Sequence, residues 1–332
     1  MVTREIWDGH CIPALGLGCW AIGGPCTANG TAVGWGAIDD AESLRAIDCA
    51  VDLGIRFFDT AQAYGAGHSE EILGKALVKR PDVFVGTKVG IAIDPERSEM
   101  TGEDHSDAAI TASIDASLRR LQRERIDLVH LHLNALPIDE AAAVFDTLDR
   151  LRAQGKINVV GWSTDYPERA AAFAERPGFV SIQHAMNVFF RAEALIPVIE
   201  RHNLLSINRS PLAMGLLSGK YTRDSVIGSD DVRGASAPWL DYFKDGRVAP
   251  AYGRRLEAVR ELLQDDGRTL VQGALAWLWA RTSRSLPIPG FRTETQVRDL
   301  CGALDKGPLS ESVMEEIERA IAREPEGEPR NR

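Results

Sequence analysis

Cysteine is scarce in this 332-residue chain, and none of the five that occur stands in a CxxC pair. Cys11, Cys19, Cys26, Cys49 and Cys301 are odd in number and scattered. That pattern excludes a complete disulfide framework and a structural metal cage, and reduced thiols are expected. An excess of positive charge is missing too. The net charge of −10 argues against sequence-independent nucleic-acid binding, which needs clustered Lys and Arg. Nor is there a long apolar run: LVQGALAWLWA (270–280) stops far short of the ~20 residues that cross a bilayer. The opening MVTREIWDGH is charged and lacks the apolar core of a signal peptide, so a cytoplasmic protein with no membrane partner is expected.

What is present reads as an ordinary soluble enzyme, 44% hydrophobic and 26% charged. Short β-branched or apolar runs alternate with helical patterns along the chain. The runs are ALGLG (14–18), IRFFD (55–59), DVFVGTK (82–88), DLVHLH (127–132), NVVGWS (158–163), VSIQH (180–184), LLSINR (204–209) and SLPIP (285–289). Between them AESLRAIDCAVDLG (41–54), SEEILGKAL (69–77), DAAITASIDASLRRL (107–121) and DEAAAVFDTLDRLRAQG (139–155) repeat apolar residues at three and four. Alternating β and α units imply a parallel sheet with helical crossovers. Eight such units favour a closed (β/α)8 TIM barrel, a single α/β domain over 1–323, above a doubly wound open sheet. The Gly/Pro/Asp-rich segment 221–250 is expected as a barrel-top excursion, and EPEGEPRNR (324–332) as a disordered tail.

In such a barrel the reactive groups gather where strands end and loops begin. The second run ends in Asp59, with Tyr64 in its loop; the third ends in Lys88 and the fourth in His132. Singly, each has an ordinary explanation: a turn carboxylate, a surface phenol, a snorkelling lysine, a satisfied core imidazole. Together, on neighbouring strands, they make chemical sense. A free phenol has a pKa near ~10; a neighbouring ammonium stabilises the phenolate and is expected to lower that value. A carboxylate paired with the ammonium keeps it charged when desolvated, and an imidazole can orient a carbonyl oxygen.

These stretches resemble the aldo-keto reductase family over nearly the whole chain. GIRFFDTAQAYGAGHSEEILGKAL is similar to the family's DTAxxYG signature, TKVG to its catalytic-lysine strand and IDLVHLH to its catalytic-histidine strand; SPLAMGLLSGKY (210–221) and PIPGFRTETQV (287–297) also match. The resemblance implies a nicotinamide cofactor held without a Rossmann fold and hydride transfer to an aldehyde or ketone. It implies Tyr64 as general acid, Lys88 and Asp59 tuning it, and His132 orienting the small-molecule carbonyl substrate. His130 is expected one layer deeper as a structural residue.

For the cofactor, the resemblance implies Ser163, Thr164 and Gln183 at the nicotinamide carboxamide, with Asn187 in the motif around Gln183. It places the backbone around Ser210, Pro211 and Leu212 along the pyrophosphate, with Gly215 and Leu217 in the covering loop, and leaves Arg209 two roles, stacking through its guanidinium on the nicotinamide or reaching a phosphate. PIPGFRTET adds a physical clue. Gly290 permits a tight turn, while Arg292 and Thr293 open a helix whose free N–H groups favour an anion. Arg can grip a phosphate bidentately, so NADP(H) is expected over NAD(H), with Gln296 reaching the adenine. The chain departs from the family at Thr164 (usually Asn), Arg209 (often an aromatic), Leu300 (often Asn) and Leu133 (often Trp or Arg). Trp20, Trp35, Trp239 and Leu133 are candidate substrate walls, in loops 19–38, 90–106 and 217–250.

Three other readings compete. GLGCWA (16–21) fits GxGxxA with Asp39 beyond it, but the loop-like GGPCTANGTAVGWG follows instead of a helix. HLH at 130–132 puts two imidazoles on one strand face, as metal-dependent barrel hydrolases do, yet His184 is the only other strand-end imidazole and the expected metal is none. A non-catalytic NADP(H)-binding regulatory protein could use the same barrel, as potassium-channel beta subunits resembling this family do.

Overall fold

The computed structural model describes residues 1–235, 239–323, 325–327 and 329. Eight parallel strands form the central sheet: β1 (Leu17–Gly18), β2 (Phe57–Asp59), β3 (Phe84–Val89), β4 (Ile126–Leu131), β5 (Ile157–Ser163), β6 (Phe179–Ala185), β7 (Leu205–Arg209) and β8 (Ser285–Pro287). They pair in chain order. The ring nearly closes through a parallel bridge between Gly18 and Gly290, with Gly16 N–H on Pro287 O at 3.0 Å and Gly18 N–H on Pro289 O at 2.9 Å.

Helices alternate with the strands: α1 (Asp40–Asp52), α2 (His68–Leu77), α3 (Asp107–Leu121), α4 (Ile138–Ala153), α5 (Pro167–Phe173), α6 (Ile196–Arg201), α7 (Pro250–Leu263), α8 (Leu270–Arg281), α9 (Glu294–Lys306) and the C-terminal α10 (Glu311–Ala320). Their starts are written locally. Asp39 accepts from the N–H groups of Ala41 and Glu42 at the head of α1, which is where the carboxylate of the false Rossmann pattern goes. After Gly18 only a single 3₁₀ turn, Trp20–Ile22, is present. Thr269 with Gln272, and Thr293 with Gln296, form reciprocal capping boxes on α8 and α9.

Strand alternation divides the interior in two. Phe57, Leu128, Val159, Leu205, Ile207, Leu286 and Ile288 fill the lower barrel with Ile6, Trp7 and Ile12. Trp7 stands edge-on to Phe57 and Phe84, ring centroids 6.3 and 5.7 Å away. It belongs to an antiparallel hairpin, Thr3–Glu5 with Cys11–Pro13, that floors the barrel. The outward faces join the helices in the main apolar core.

Above the barrel the loops after β1 and β3 are more regular than expected. Thr27–Ala28, Thr31–Ala32, Ile91–Asp94 and Glu99–Glu103 make a four-stranded sheet. The loop after β1 also reaches the long excursion after β7, where Val232 N–H donates to Gly34 O at 2.8 Å and Trp35 bridges Asp231. The segment read as a tail, 324–332, falls in large part outside the described residues. Within it, Glu326 accepts from the N–H groups of Arg191, Ala192 and Glu193. Among the described residues no helix is long and apolar enough to cross a membrane.

Candidate active site

Inward-facing register positions on β2, β3 and β4 bring the tetrad together. Asp59 pairs with Gly86 across β2–β3, and His130 with Lys88 across β3–β4. Lys88 stands two residues past Gly86 and His132 two past His130, which leaves a carboxylate, an ammonium and an imidazole at the same rim. Lys88 is fully buried, and its Nζ donates to Asp59 Oδ2 at 2.6 Å, Thr60 O at 2.8 Å and Tyr64 OH at 3.1 Å. The His132 ring stands edge-on to Tyr64, centroids 6.1 Å apart. Trp20 lies nearly parallel to the other side of Tyr64, at 5.9 Å and 23°.

The phenol reaches that point because its turn is built from residues tolerating left-handed backbone. Gly65, Ala66 and Gly67 have φ of 64°, 50° and 104°, a region in which glycine carries no side-chain penalty. Gly65 also presses on the neighbouring loop: a Cβ there would stand 1.8 Å from Gly23 O. A second glycine makes room beneath the site, since a Cβ on Gly161 would meet His130 Cδ2 at 2.8 Å. His130 is buried one layer down and bonds Ser181 Oγ at 3.0 Å.

Burial dominates the electrostatics. It pushes the Tyr64 phenol up; Lys88 pulls it down and Asp59 pushes it up, leaving the value above an ordinary tyrosine. This corrects the expectation of a lowered phenol. An ammonium whose charge is largely cancelled by a carboxylate 2.6 Å away presents a dipole, whose field falls off too fast to offset desolvation. Burial alone would lower Lys88, yet Asp59 and Tyr64 outweigh it and hold the ammonium charged.

Burial, with Lys88 adding its repulsion, drives His132 and His130 well below the ordinary imidazole range. His184, on the outward face of β6, is pushed down to about 4 by burial and bonds Ser206 Oγ at 2.7 Å. These native imidazoles resist protons that the unfolded chain takes up below roughly pH 6.5, so stability present above that pH is lost on acidification. Denaturant titrations should therefore show ΔG falling from pH 7 to pH 5, by up to about 1.4 kcal/mol per buried histidine per pH unit. The ring resonances of His130 and His132 should stay put over that span.

Several supports escaped the reading of the sequence. Thr60 Oγ1 and Ser69 Oγ lie 2.8 Å apart, and Ser69 donates to Cys19 O at 2.9 Å. Glu70 is fully buried, accepting from Thr87 Oγ1 at 2.5 Å and Arg120 Nε at 2.7 Å. A signal existed: Glu70, Leu73 and Leu77 share one buried stripe of α2, and a carboxylate there demands partners.

The tetrad opens on a cavity of about 670 Å³ that runs across the barrel mouth. Its lining includes the expected Ser163, Gln183, Arg209, Ser210, Pro211, Leu212, Gly215, Gly290, Arg292 and Gln296, and the tryptophans Trp20, Trp35 and Trp239. Thr164, Leu217, Thr293 and Leu133 are not part of the lining. Thr164 is buried and spends its hydroxyl on Asn134 O at 2.8 Å, because the next backbone step turns its side chain behind the wall. Leu217 is folded into the core by the kinked 3₁₀ segment Ala213–Ser218. Thr293 caps α9, and Leu133 packs beneath Gly90 while its carbonyl accepts from Trp162 Nε1 at 2.9 Å.

Other expected residues arrive in unexpected company. Gln183 Nε2 donates to Asp59 Oδ1 at 2.6 Å. The Arg292 guanidinium donates to Ala21 O at 3.2 Å, Ala37 O at 3.5 Å and Trp35 O, which fastens loop 19–38 over the cavity. Arg209 is ion-paired to Asp165, and Leu300 lines the far end of the cavity beside Gln296 and Asp299. Asn187 clamps the loop after β7 through Ser210 O at 3.0 Å and Tyr242 OH at 2.9 Å. Among the described residues no cluster of three His, Cys, Asp or Glu side chains could hold a metal ion.

A parallel barrel carrying a buried ammonium under a phenol, beside a long cavity at the strand ends, defines a (β/α)8 oxidoreductase. Within that class the chain belongs to the Aldo/keto reductase family, which matches residues 14–322. Aldo-keto reductase YhdN of Bacillus subtilis (strain 168) is 31% identical over 297 residues, 86% of this chain and 83% of that protein. The NADH-specific methylglyoxal reductase of Escherichia coli (strain K12) is 30% identical over 330 residues, 93% of this chain and 95% of that one. Among solved structures, the glycerol dehydrogenase AKR11B4 from Gluconobacter oxydans superposes with a TM-score of 0.81 at 30% identity, covering 98% of both chains.

Proposed function

We propose that this protein reduces an aldehyde or ketone with NADPH, Tyr64 giving the proton. The observation that carries the reading is the buried Lys88 ammonium 3.1 Å from the Tyr64 hydroxyl. When bound, a nicotinamide would supply the hydride, and the remaining roles fall to the chain's own residues. His132, held neutral, offers an N–H to the carbonyl oxygen without adding a second cation beside Lys88. Tyr64 protonates that oxygen as charge develops, and Lys88 stabilises the phenolate left behind while Asp59 keeps the ammonium in register.

The cavity suits such a ligand. Ser163 and Gln183 stand near the tetrad, and Arg292 and Gln296 lie at the α9 end, where helix N–H groups favour an anion. Trp20, Val33, Ile91, Met100 and Trp239 add apolar wall, which supports a substrate with an apolar body around its carbonyl.

The test is loss of NADPH absorbance on mixing the protein with a panel of aldehydes, quinones, sugars and steroidal ketones. Turnover with at least one is expected. Binding of NADPH with no turnover across the panel would replace catalysis by a regulatory role.

Cofactor choice rests on Arg292, whose relocation from the carbonyls of loop 19–38 to a 2′-phosphate would exchange neutral acceptors for a charged one. Arg292→Leu should weaken NADPH roughly tenfold or more and leave NADH within a factor of about two, measured by calorimetry. Equal weakening of both, or an NADH preference in the unaltered protein like that named for the Escherichia coli relative, removes Arg292 as the discriminator.

A further inference from the structure

Behind the wall of the cavity, one carboxylate ties together the ends of four consecutive strands. Asp165 follows β5 by two residues and is buried. Its N–H donates to Asn134 Oδ1, past the end of β4, at 2.8 Å. Its Oδ1 accepts from the N–H of Ala185, the last residue of β6, at 2.9 Å. Its Oδ2 is ion-paired with Arg209, the last residue of β7 and the register partner of Ala185. Asn134, Ser163, Gln183 and Arg209 line the cavity, whereas Asp165 does not. The arrangement is a cation on the wall with its counter-charge fixed behind it.

We infer that the Asp165–Arg209 pair sets how tightly this cavity holds the oxidised form of a nicotinamide cofactor relative to the reduced form. The inference rests on the cofactor reading above. A nicotinamide ring is neutral when reduced and carries one positive charge after it has given up hydride. Nearby fixed charges therefore act on one form and leave the other almost untouched. With both partners present, the ring faces a nearly neutral dipole. Removing Asp165 takes a negative charge away from beside the guanidinium, which increases repulsion of the oxidised ring; removing Arg209 takes away a positive charge, which increases its attraction.

The guanidinium is close enough to matter. Burial and Lys88 dominate at Tyr64 and His132, and Arg209 adds to the effect of Lys88 at both. Asp165 is thus a positioning residue, acting through Arg209.

The sign of the effect separates this role from a structural one. Unit charges about 7 Å apart change an equilibrium constant about threefold at the dielectric of water and about fiftyfold at that of a protein surface, so a fivefold change is a screened, lower-end expectation. Calorimetric titration with NADP⁺ and with NADPH gives the ratio of the two dissociation constants, oxidised over reduced. Asp165→Asn should raise that ratio about fivefold, Arg209→Met should lower it by a similar factor, and Arg209→Lys should keep it near the unaltered value.

A structural role would weaken both forms in both variants and leave the ratio unmoved. That result, or shifts of the same sign in both, overturns the inference. Should Asp165→Asn fail to fold, the lowered ratio in Arg209→Met still decides. If the unaltered protein binds neither form, the cofactor reading falls and takes this inference with it. Binding of both with an unmoved ratio sinks the charge pair alone.

Discussion

On the proposed acid role, Tyr64→Phe should lose turnover by about 10²–10⁴-fold and keep its affinity for NADPH within about threefold. The substitution removes one oxygen and little else. The ring keeps its face against Trp20, 5.9 Å between centroids, and Lys88 keeps Asp59 and Thr60 O as acceptors. What disappears is a hydroxyl that accepts from the ammonium and belongs to a residue lining the cavity. Steady-state rates paired with calorimetric NADPH titration check the split. Near-normal kcat would remove Tyr64 from the acid role, and lost NADPH binding would make it a cofactor residue. The raised phenol adds a pH signature: the acid stays protonated through neutral pH, so kcat should be flat from roughly pH 6 to pH 9 and fall only in stronger alkali.

Much of this site was legible because it rests on period-two geometry. Asp59, Lys88 and His132 end the apolar runs on which they were found. Alternation alone puts His130 and His132 on the same inward face. The Tyr64 turn declared itself through its paired glycines. What the chain hid were distances between elements remote in sequence. Asp165 reads as a loop residue after Ser163 and Thr164 until Ala185 and Arg209 are folded against it. Arg292 sits at the helix start expected of it, but the carbonyls that hold its guanidinium come from residues 21 to 37. Thr164, Leu217, Thr293 and Leu133 stand outside the lining for another reason. Each is adjacent to a residue that does line the cavity or the site, and one backbone step reverses the direction of a side chain. The lowered phenol failed on magnitude, since pattern names the neighbours of a group without saying how dry they are.

Lys88→Met should be the most damaging single change in the molecule. It removes the cation from a group of polar atoms in which Lys88 and Asp59 are both buried. Asp59 then keeps Gln183 Nε2 at 2.6 Å as a neutral donor against the full desolvation of a carboxylate. Breaking a buried pair from one side costs about 3–5 kcal/mol, well above the median effect of a substitution. Turnover should vanish with it, because the phenolate formed on proton transfer loses its stabilising charge. The second carboxylate oxygen makes the stability claim testable apart from the catalytic one. In Lys88→Met with Asp59→Leu no charge is stranded, so the double variant should be more stable than Lys88→Met alone, by about 2 kcal/mol or more, while remaining inactive. Denaturant melts of the four proteins in that cycle measure the coupling directly. If Asp59→Leu costs as much in the Lys88→Met background as in the unaltered chain, the two residues do not act as a buried pair. The electrostatic account of Tyr64 would then lose the counter-charge on which it depends.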